Sequence, residues 1–236
     1  MEDVPYNHQQ PASHFEYVVN TKEAPVIKGA EAIRVKEQAL ALMGQMMGWC
    51  SEAKGAVLVD LILKNRPSVV VEIGVWGGKS VVPMAYALKV NGKGKIYGID
   101  PWSSYESIQG IMNEDNKHFW QWADHKIVMD GLIEKIDQFD LNDQVELIRD
   151  TSEGAAPIYE IDILHVDGNH SDEPSYLDVT KWVPLVKSGG MIIFDDMTWY
   201  ENNVFTTSRA VKWLDEHCIK FAEFSDTCVW GIWIKP

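Results

Sequence analysis

The chain has 236 residues, enough for one domain with a small cap, and its 46% apolar and 24% charged composition supports a packed core rather than global disorder. Asp and Glu number 35 against 21 Lys and Arg, a net charge of −14, and the excess is local: residues 100–178 hold 19 acids and 4 bases. Such a surface repels a phosphate backbone, so a nucleic-acid partner is not expected.

The first 25 or so residues are polar, with prolines at 5, 11 and 25, and read as a loose arm compatible with dimer exchange, hence with a homo-oligomer. The opening segment has neither a basic start nor an apolar stretch, so secretion is not expected and a cytoplasmic location is. No window approaches 18 uninterrupted apolar residues, so no membrane span is expected either. Cys50, Cys218 and Cys228 are too few and too scattered for a disulfide framework or a zinc knuckle.

A helical pattern runs from Ile33 through Met47, is interrupted at Gly48 and Trp49, and resumes behind Ser51, a suitable N-cap. From Pro67 short β-branched runs alternate with amphipathic stretches. Strands are expected at 69–73, 95–100, 144–149, 161–167 and 191–194, and helices at 80–90, about 125–139 and 175–186. This alternation predicts a mostly parallel α/β sheet with helices on both faces. At the end, 221–225 and 228–234 flank Asp226-Thr227, the signal of an antiparallel hairpin. Alternation places Trp230 with Ile232 and Ile234, on the face opposite Trp233. The link between the second and third strands is too long for a simple crossover. Its segment 102–122, with Trp102, Tyr105, Phe119, Trp120 and Trp122, is read as an insertion that serves as a substrate lid. The expected division is an arm and cap helices over 1–64 and a main domain over 65–236.

The first strand runs into Glu72-Ile73-Gly74-Val75-Trp76-Gly77-Gly78-Lys79-Ser80. Glycines at a strand-to-helix turn let a ligand approach the backbone, beside the free N–H groups of the helix. In an open α/β sheet that ligand sits beyond the carboxyl ends of the strands. Trp76 stands where a pyrophosphate would need a second glycine, which disfavours a dinucleotide. Glu72 in the mouth of the loop would repel phosphates and suit a cationic ligand. Asp100, ending the second strand, is placed to accept hydrogen bonds from a ribose.

Glu72-x-Gly74-x-x-x-Gly78-x-Ser80, Gly98-Ile99-Asp100-Pro101-Trp102, Asp167-Gly168-Asn169-His170, and Ser188-Gly189-Gly190 before Asp195-Asp196 lie in this order over about 69–196. Here the sequence resembles the class I S-adenosylmethionine-dependent methyltransferases, most closely the branch with the macrocin-type O-methyltransferases. The resemblance implies a Rossmann-like, seven-stranded, mostly parallel sheet with a C-terminal antiparallel hairpin and N-terminal cap helices. It also implies S-adenosylmethionine as cofactor. The turn from Gly74 through Trp76 to Gly78 would wrap its methionine part, with Glu72 and Ser80 nearby. Asp100 would bind the ribose, Trp102 would flank the adenine, Thr151 and Ser152 would border it, and Asp167 would lie within reach of the cofactor.

Asp167 and Asp195-Asp196 end neighbouring parallel strands, about 4.8 Å apart, so their carboxylates can share one cleft. Their mutual repulsion is relieved by protonation, by a basic partner or by a divalent cation, and oxygen donors suit Mg²⁺. Carried over from the family, the metal ligands are Asp167, Asp195 and Asp196. His170, three residues after Asp167, is the candidate general base, since neutral imidazole is available at pH 7. His165 reads as structural, Asp172, Glu173 and Asp178 as a solvated helix start, and Arg209 and Lys212 as surface residues.

The expected function is therefore a methyltransferase acting on a hydroxyl of a small molecule (a sugar, a glycosylated natural product or a catechol-like group), assisted by Mg²⁺. Two alternatives stand beside it: a metal-independent O- or N-methyltransferase, and a non-catalytic binding module with the same fold.

Overall fold

The computed structural model describes residues 27–236, so the expected arm lies outside the described residues. Two cap helices come first, α1 (Ala30–Met43) and α2 (Glu52–Asn65). Ser51 caps α2 as expected, its Oγ accepting from the Lys54 backbone N–H at 3.0 Å. Arg66 ends α2 in the left-handed region (φ 48°), and Pro67 prevents continuation.

The alternating region follows with β1 (Val69–Ile73), α3 (Val81–Asn91), β2 (Lys95–Ile99), α4 (Ser104–Ser107), α5 (Glu114–Trp122), α6 (His125–Gln138), β3 (Val145–Ile148), β4 (Ile161–Val166), α7 (Asp172–Trp182) and β5 (Val186–Phe194). It closes with β6 (Tyr200–Glu201), β7 (Val204–Phe205), α8 (Ser208–His217), β8 (Ile219–Ser225) and β9 (Val229–Ile234). The main sheet has seven strands in the order β3-β2-β1-β4-β5-β9-β8. The first five run parallel, and β9 pairs antiparallel with both β5 and β8. The expected architecture is thus present, including the terminal hairpin. Among the described residues no helix is long and apolar enough to cross a membrane.

The sheet is covered on both faces. Val70, Ile96, Ile163, Ile193, Trp230 and Ile232 pack with the cap helices, α3 and α6, whereas Val71, Ile99, Leu164, Ile192, Phe194 and Trp233 pack with α7 and α8. Trp230 and Trp233 therefore part company as alternation requires. Each fully buried side chain of this size contributes about 1.5–3 kcal/mol. The cap helices share this core with the sheet.

Four local expectations are corrected. Strand β5 begins at Val186, not 191, because Gly189 (φ 76°) lets the Ser188-Gly189-Gly190 segment stay in the sheet, bonded to Lys235. Helix α7 begins at Asp172, since Pro174 falls in the first turn, where a missing N–H costs nothing. Between 197 and 206, where no strand was expected, Tyr200–Glu201 and Val204–Phe205 pair as the β6–β7 hairpin. Asp178 is not at a solvated helix start: it lies two turns into α7, 2% exposed, and accepts a hydrogen bond from Ser152 Oγ.

Candidate functional site

At the carboxyl end of β1 the chain needs glycine at two places. Gly74 has φ 85°, and a Cβ there would overlap the Asp167 carbonyl, so this turn passes directly against the end of β4. Gly78 has φ 77°, and its Cβ would run into Leu132 of α6. Between them Trp76 also adopts a left-handed conformation (φ 49°). The Asp100 carboxylate holds that shape: Oδ2 accepts from the Val75 and Trp76 N–H groups at 3.1 and 2.9 Å, and Oδ1 from the Trp102 N–H at 2.7 Å. Burial pushes the Asp100 carboxyl above its ordinary range, against the pull of these three donors.

Trp102 is buried behind the turn, its Nε1 donating to the Trp76 carbonyl at 2.9 Å. Glu72 was expected in the mouth of the loop, but it is fully buried behind it. Ser80 Oγ donates to its Oε1 at 2.5 Å, and His165 Nδ1 lies 3.1 Å from its Oε2. The reason is alternation: Glu72 points to the face opposite Val71 and Ile73, under the cap helices. Thr151 and Ser152 follow β3, but their hydrogen bonds run elsewhere. Thr151 Oγ1 accepts from Gly154 N, Ser152 Oγ donates to Asp178, and the Ser152 carbonyl accepts from Lys181 and Trp182 of α7.

The insertion reaches the glycine turn through aromatic rings. Trp120 meets Trp76 edge-on at 5.0 Å, and Trp49, from the link between the cap helices, stacks on Trp76 at 6.4 Å and meets Phe119 at 5.7 Å. Trp122 and Tyr105 stay exposed. A cavity of about 370 Å³ opens on the other side of the insertion, lined by Asn113, Asn116, Asp196, Trp199, Tyr200 and Glu201 among others. Glu201, which sequence reasoning missed, is buried and fastens the start of α5 to β6. It accepts from Asn113 N at 2.7 Å, from Asn116 Nδ2 and from Trp199 Nε1 at 3.1 Å.

The parallel register of β4 and β5 brings Asp167 and His170 beside Asp195 and Asp196. His170 Nε2 lies 3.5 Å from Asp167 Oδ1 and 3.4 Å from Asp196 Oδ2. One ligand atom from each of Asp167, His170 and Asp196 fits within 4.8 Å, as does one from each of His165, Asp167 and Asp195. The Trp199 ring meets His170 edge-on at 4.8 Å, and Thr206 Oγ1 holds the His170 carbonyl at 2.5 Å.

Burial and the neighbouring Asp195 charge raise the Asp167 carboxyl to about 6. Burial opposes a charge on His170, yet Asp167 and Asp196 outweigh it and raise its pKa. Burial pushes the nearby thiols of Cys50 and Cys228 up to about 12, and all three cysteines are free, as expected.

Lys54 of α2 was not anticipated. Its ammonium is buried, donates to Asp195 Oδ2 and lies 2.8 Å from His165 Nε2. Burial disfavours charge on both groups, but the pair overcomes it: Asp195 is held well below the usual carboxylate range and Lys54 above its own. Burial and the Lys54 charge oppose a charge on His165, yet Glu72 and Asp195 outweigh them and raise its pKa to about 9, with Nδ1 facing Glu72. His165 is thus more than core filler. A buried line Ser80–Glu72–His165–Asp195 joins the glycine turn to the acidic cluster, with Lys54 at the Asp195 end. The signal was present in the sequence: Lys54 lies on the same helical stripe as Leu58 and Ile62, a lone charge where the pattern demands an apolar residue.

A family model described as a methyltransferase domain matches residues 71–197, more than half of the chain. Among solved structures, the O-methyltransferase TomG from Streptomyces achromogenes, in complex with SAM, superimposes with a TM-score of 0.57 at 16% identity, over 89% of this chain and 92% of that one. The O-methyltransferase from Bacillus cereus, in complex with SAH, gives 0.57 at 16%, over 86% and 91%. The O-methyltransferase NovP gives 0.53 at 19%, over 84% and 79%. At these identities the likeness is one of fold. The matched segment contains both the glycine turn and the acidic strand ends, so the chain belongs to the methyltransferase-domain family, with the Rossmann-like fold of class I S-adenosylmethionine-dependent methyltransferases.

Proposed function

We propose that the protein is an S-adenosylmethionine-dependent O-methyltransferase whose acceptor is a hydroxyl of a small molecule, with α1 and α2 capping a catalytic domain over 65–236. The observation that carries this reading is the meeting of Asp167, His170, Asp195 and Asp196 next to a glycine turn. The turn contacts the Asp167 carbonyl directly, so donor and acceptor ends of the site abut.

The residues suit the cofactor in kind. Gly74, Trp76 and Gly78 form the turn, Asp100 and Glu72 hold it from behind, and Ser80 opens α3. In this reading Asp100 and Glu72 serve the cofactor mainly through the shape of the turn. Trp102 supports it from the core, Thr151 and Ser152 close the far side next to β3, and Asp167 faces the reacting end.

Asp167, Asp195 and Asp196 suit Mg²⁺ in kind: all three supply oxygen, Asp167 converges with Asp195 in one group and with Asp196 in another, and the buried Asp195 Oδ1 accepts no hydrogen bond among the described residues. The bound cation would lower the acceptor's pKa and align its oxygen. His170 then takes the hydroxyl proton on Nε2 as the oxygen forms its bond to the methyl carbon and the sulfonium C–S bond breaks, leaving S-adenosylhomocysteine. The insertion 102–122 and the β6–β7 hairpin wall the acceptor cavity.

One observation favours a second reading. Lys54 already relieves part of the carboxylate repulsion, so His170 could work without a metal. A panel of hydroxylated acceptors with S-adenosylmethionine, with and without EDTA, separates the two. The metal reading expects methylated product that disappears in EDTA and at least a hundredfold lower turnover in Asp195→Ala. Full activity in EDTA removes the Mg²⁺, and no transfer to any acceptor removes the function.

A further inference from the structure

We propose that Lys54 is a positioning residue, a built-in counter-charge that holds Asp195 by one carboxylate oxygen and sets how tightly the cluster binds a divalent cation. The inference rests on the metal reading above and adds a residue that the fold alone does not require. A buried ammonium is costly unless paired, and the stripe it shares with Leu58 and Ile62 would accept an apolar side chain. The charge is nevertheless there, aimed at the cluster.

The side chain is fixed from several sides. Ser51 caps the first turn of α2, and its Oγ also donates to Asp226 in the β8–β9 turn. The Trp230 ring lies below the ammonium, 5.6 Å from its centroid. With Asp195 Oδ2 committed to Lys54, only Oδ1 is left, and this buried oxygen accepts no hydrogen bond among the described residues. Asp195 would therefore ligate through Oδ1 alone.

Lys54 pairs with one of the three carboxylates, Asp195, while His165 and His170 lie within 3.5 Å of the cluster. Removing the ammonium adds one negative charge to the cluster and removes a repulsion that acts on a bound cation. Without Lys54 the cluster should hold a cation more tightly, with Asp195 less well oriented.

The test is titration of the metal-stripped full chain with Mn²⁺ by calorimetry. Wild type is compared with Lys54→Gln, which keeps a donor to Asp195 without the charge, with Lys54→Arg, which keeps the charge, and with Lys54→Met. The expected result is a Kd about tenfold or more lower in Lys54→Gln and Lys54→Met, and within about threefold of wild type in Lys54→Arg. In parallel, the rise in Tm on adding Mn²⁺ should be larger for Lys54→Gln than for wild type. Should Lys54→Met fail to fold, the Gln and Arg variants carry the comparison. Equal or weaker Mn²⁺ binding in Lys54→Gln, with wild type binding, overturns the role given to Lys54. No Mn²⁺ binding by any of the proteins overturns the metal reading itself, and this inference with it.

Discussion

Asp178 and Lys54 are two charged residues buried on helices, and they behave in opposite ways. Lys54 has Asp195. Asp178 accepts from the Ser152 hydroxyl and feels the charges of His170 and Lys181, yet burial raises its carboxyl to about 7. A carboxyl raised in the folded state favours the protein when protonated. Its contribution is fully present below the unfolded pKa near 4 and is lost as pH rises through about 7. Asp178→Asn removes the charge and keeps an oxygen for Ser152 to bond. The expected outcome is a higher Tm at pH 8, equivalent to roughly 1–3 kcal/mol, with a smaller difference at pH 5 that vanishes below about pH 4. Thermal scans across pH check it, and a variant less stable than wild type at pH 8 contradicts it.

The same pair marks the limit of what the residues reveal in one dimension. Asp167, His170, Asp195 and Asp196 were legible because each ends a recognisable strand, and parallel strands put their ends together. Lys54 and Glu201 were not, because their partners lie 141 and 88 positions away and only folding brings them into contact. Glu72 was seen as a site residue but placed wrongly, since its direction depends on which face the cap helices cover.

At the scale of elements, the insertion is the part whose position depends most on single contacts. The described helices α4 and α5 contain no buried residue, so apolar packing holds them weakly. Glu201 instead ties the start of α5 to the β6–β7 hairpin through two donors, Asn113 N and Asn116 Nδ2. Losing a charged acceptor of this kind costs roughly 1.5–3 kcal/mol per strong bond. Glu201→Ala should therefore free the segment 103–122. Faster cleavage there in limited proteolysis is expected, with a KM for the acceptor raised severalfold and the affinity for S-adenosylmethionine within about threefold of wild type. Unchanged cleavage would show that the aromatic contacts around Trp76 hold the insertion unaided. The β6–β7 hairpin escaped sequence reasoning because strands of two residues carry no periodicity.

The whole molecule shows why most of the architecture was readable. Alternating apolar runs and amphipathic stretches leave a parallel sheet as the solution, and the terminal Trp230/Trp233 alternation fixes which face each ring takes. The charge excess over 100–178 falls on the segment that carries the insertion, β3, β4 and the start of α7, leaving the rest near neutrality. That asymmetry suits a cationic donor and a divalent ion better than a phosphate-rich partner. The strand order sets the ends of β1 and β2 beside those of β4 and β5, where the proposed donor and acceptor would meet. Calorimetric titration of the full chain with S-adenosylmethionine tests this placement most directly. The expected result is saturable binding of one molecule per chain, with a Kd on the order of micromolar. Absence of heat or saturation up to millimolar concentrations would contradict it.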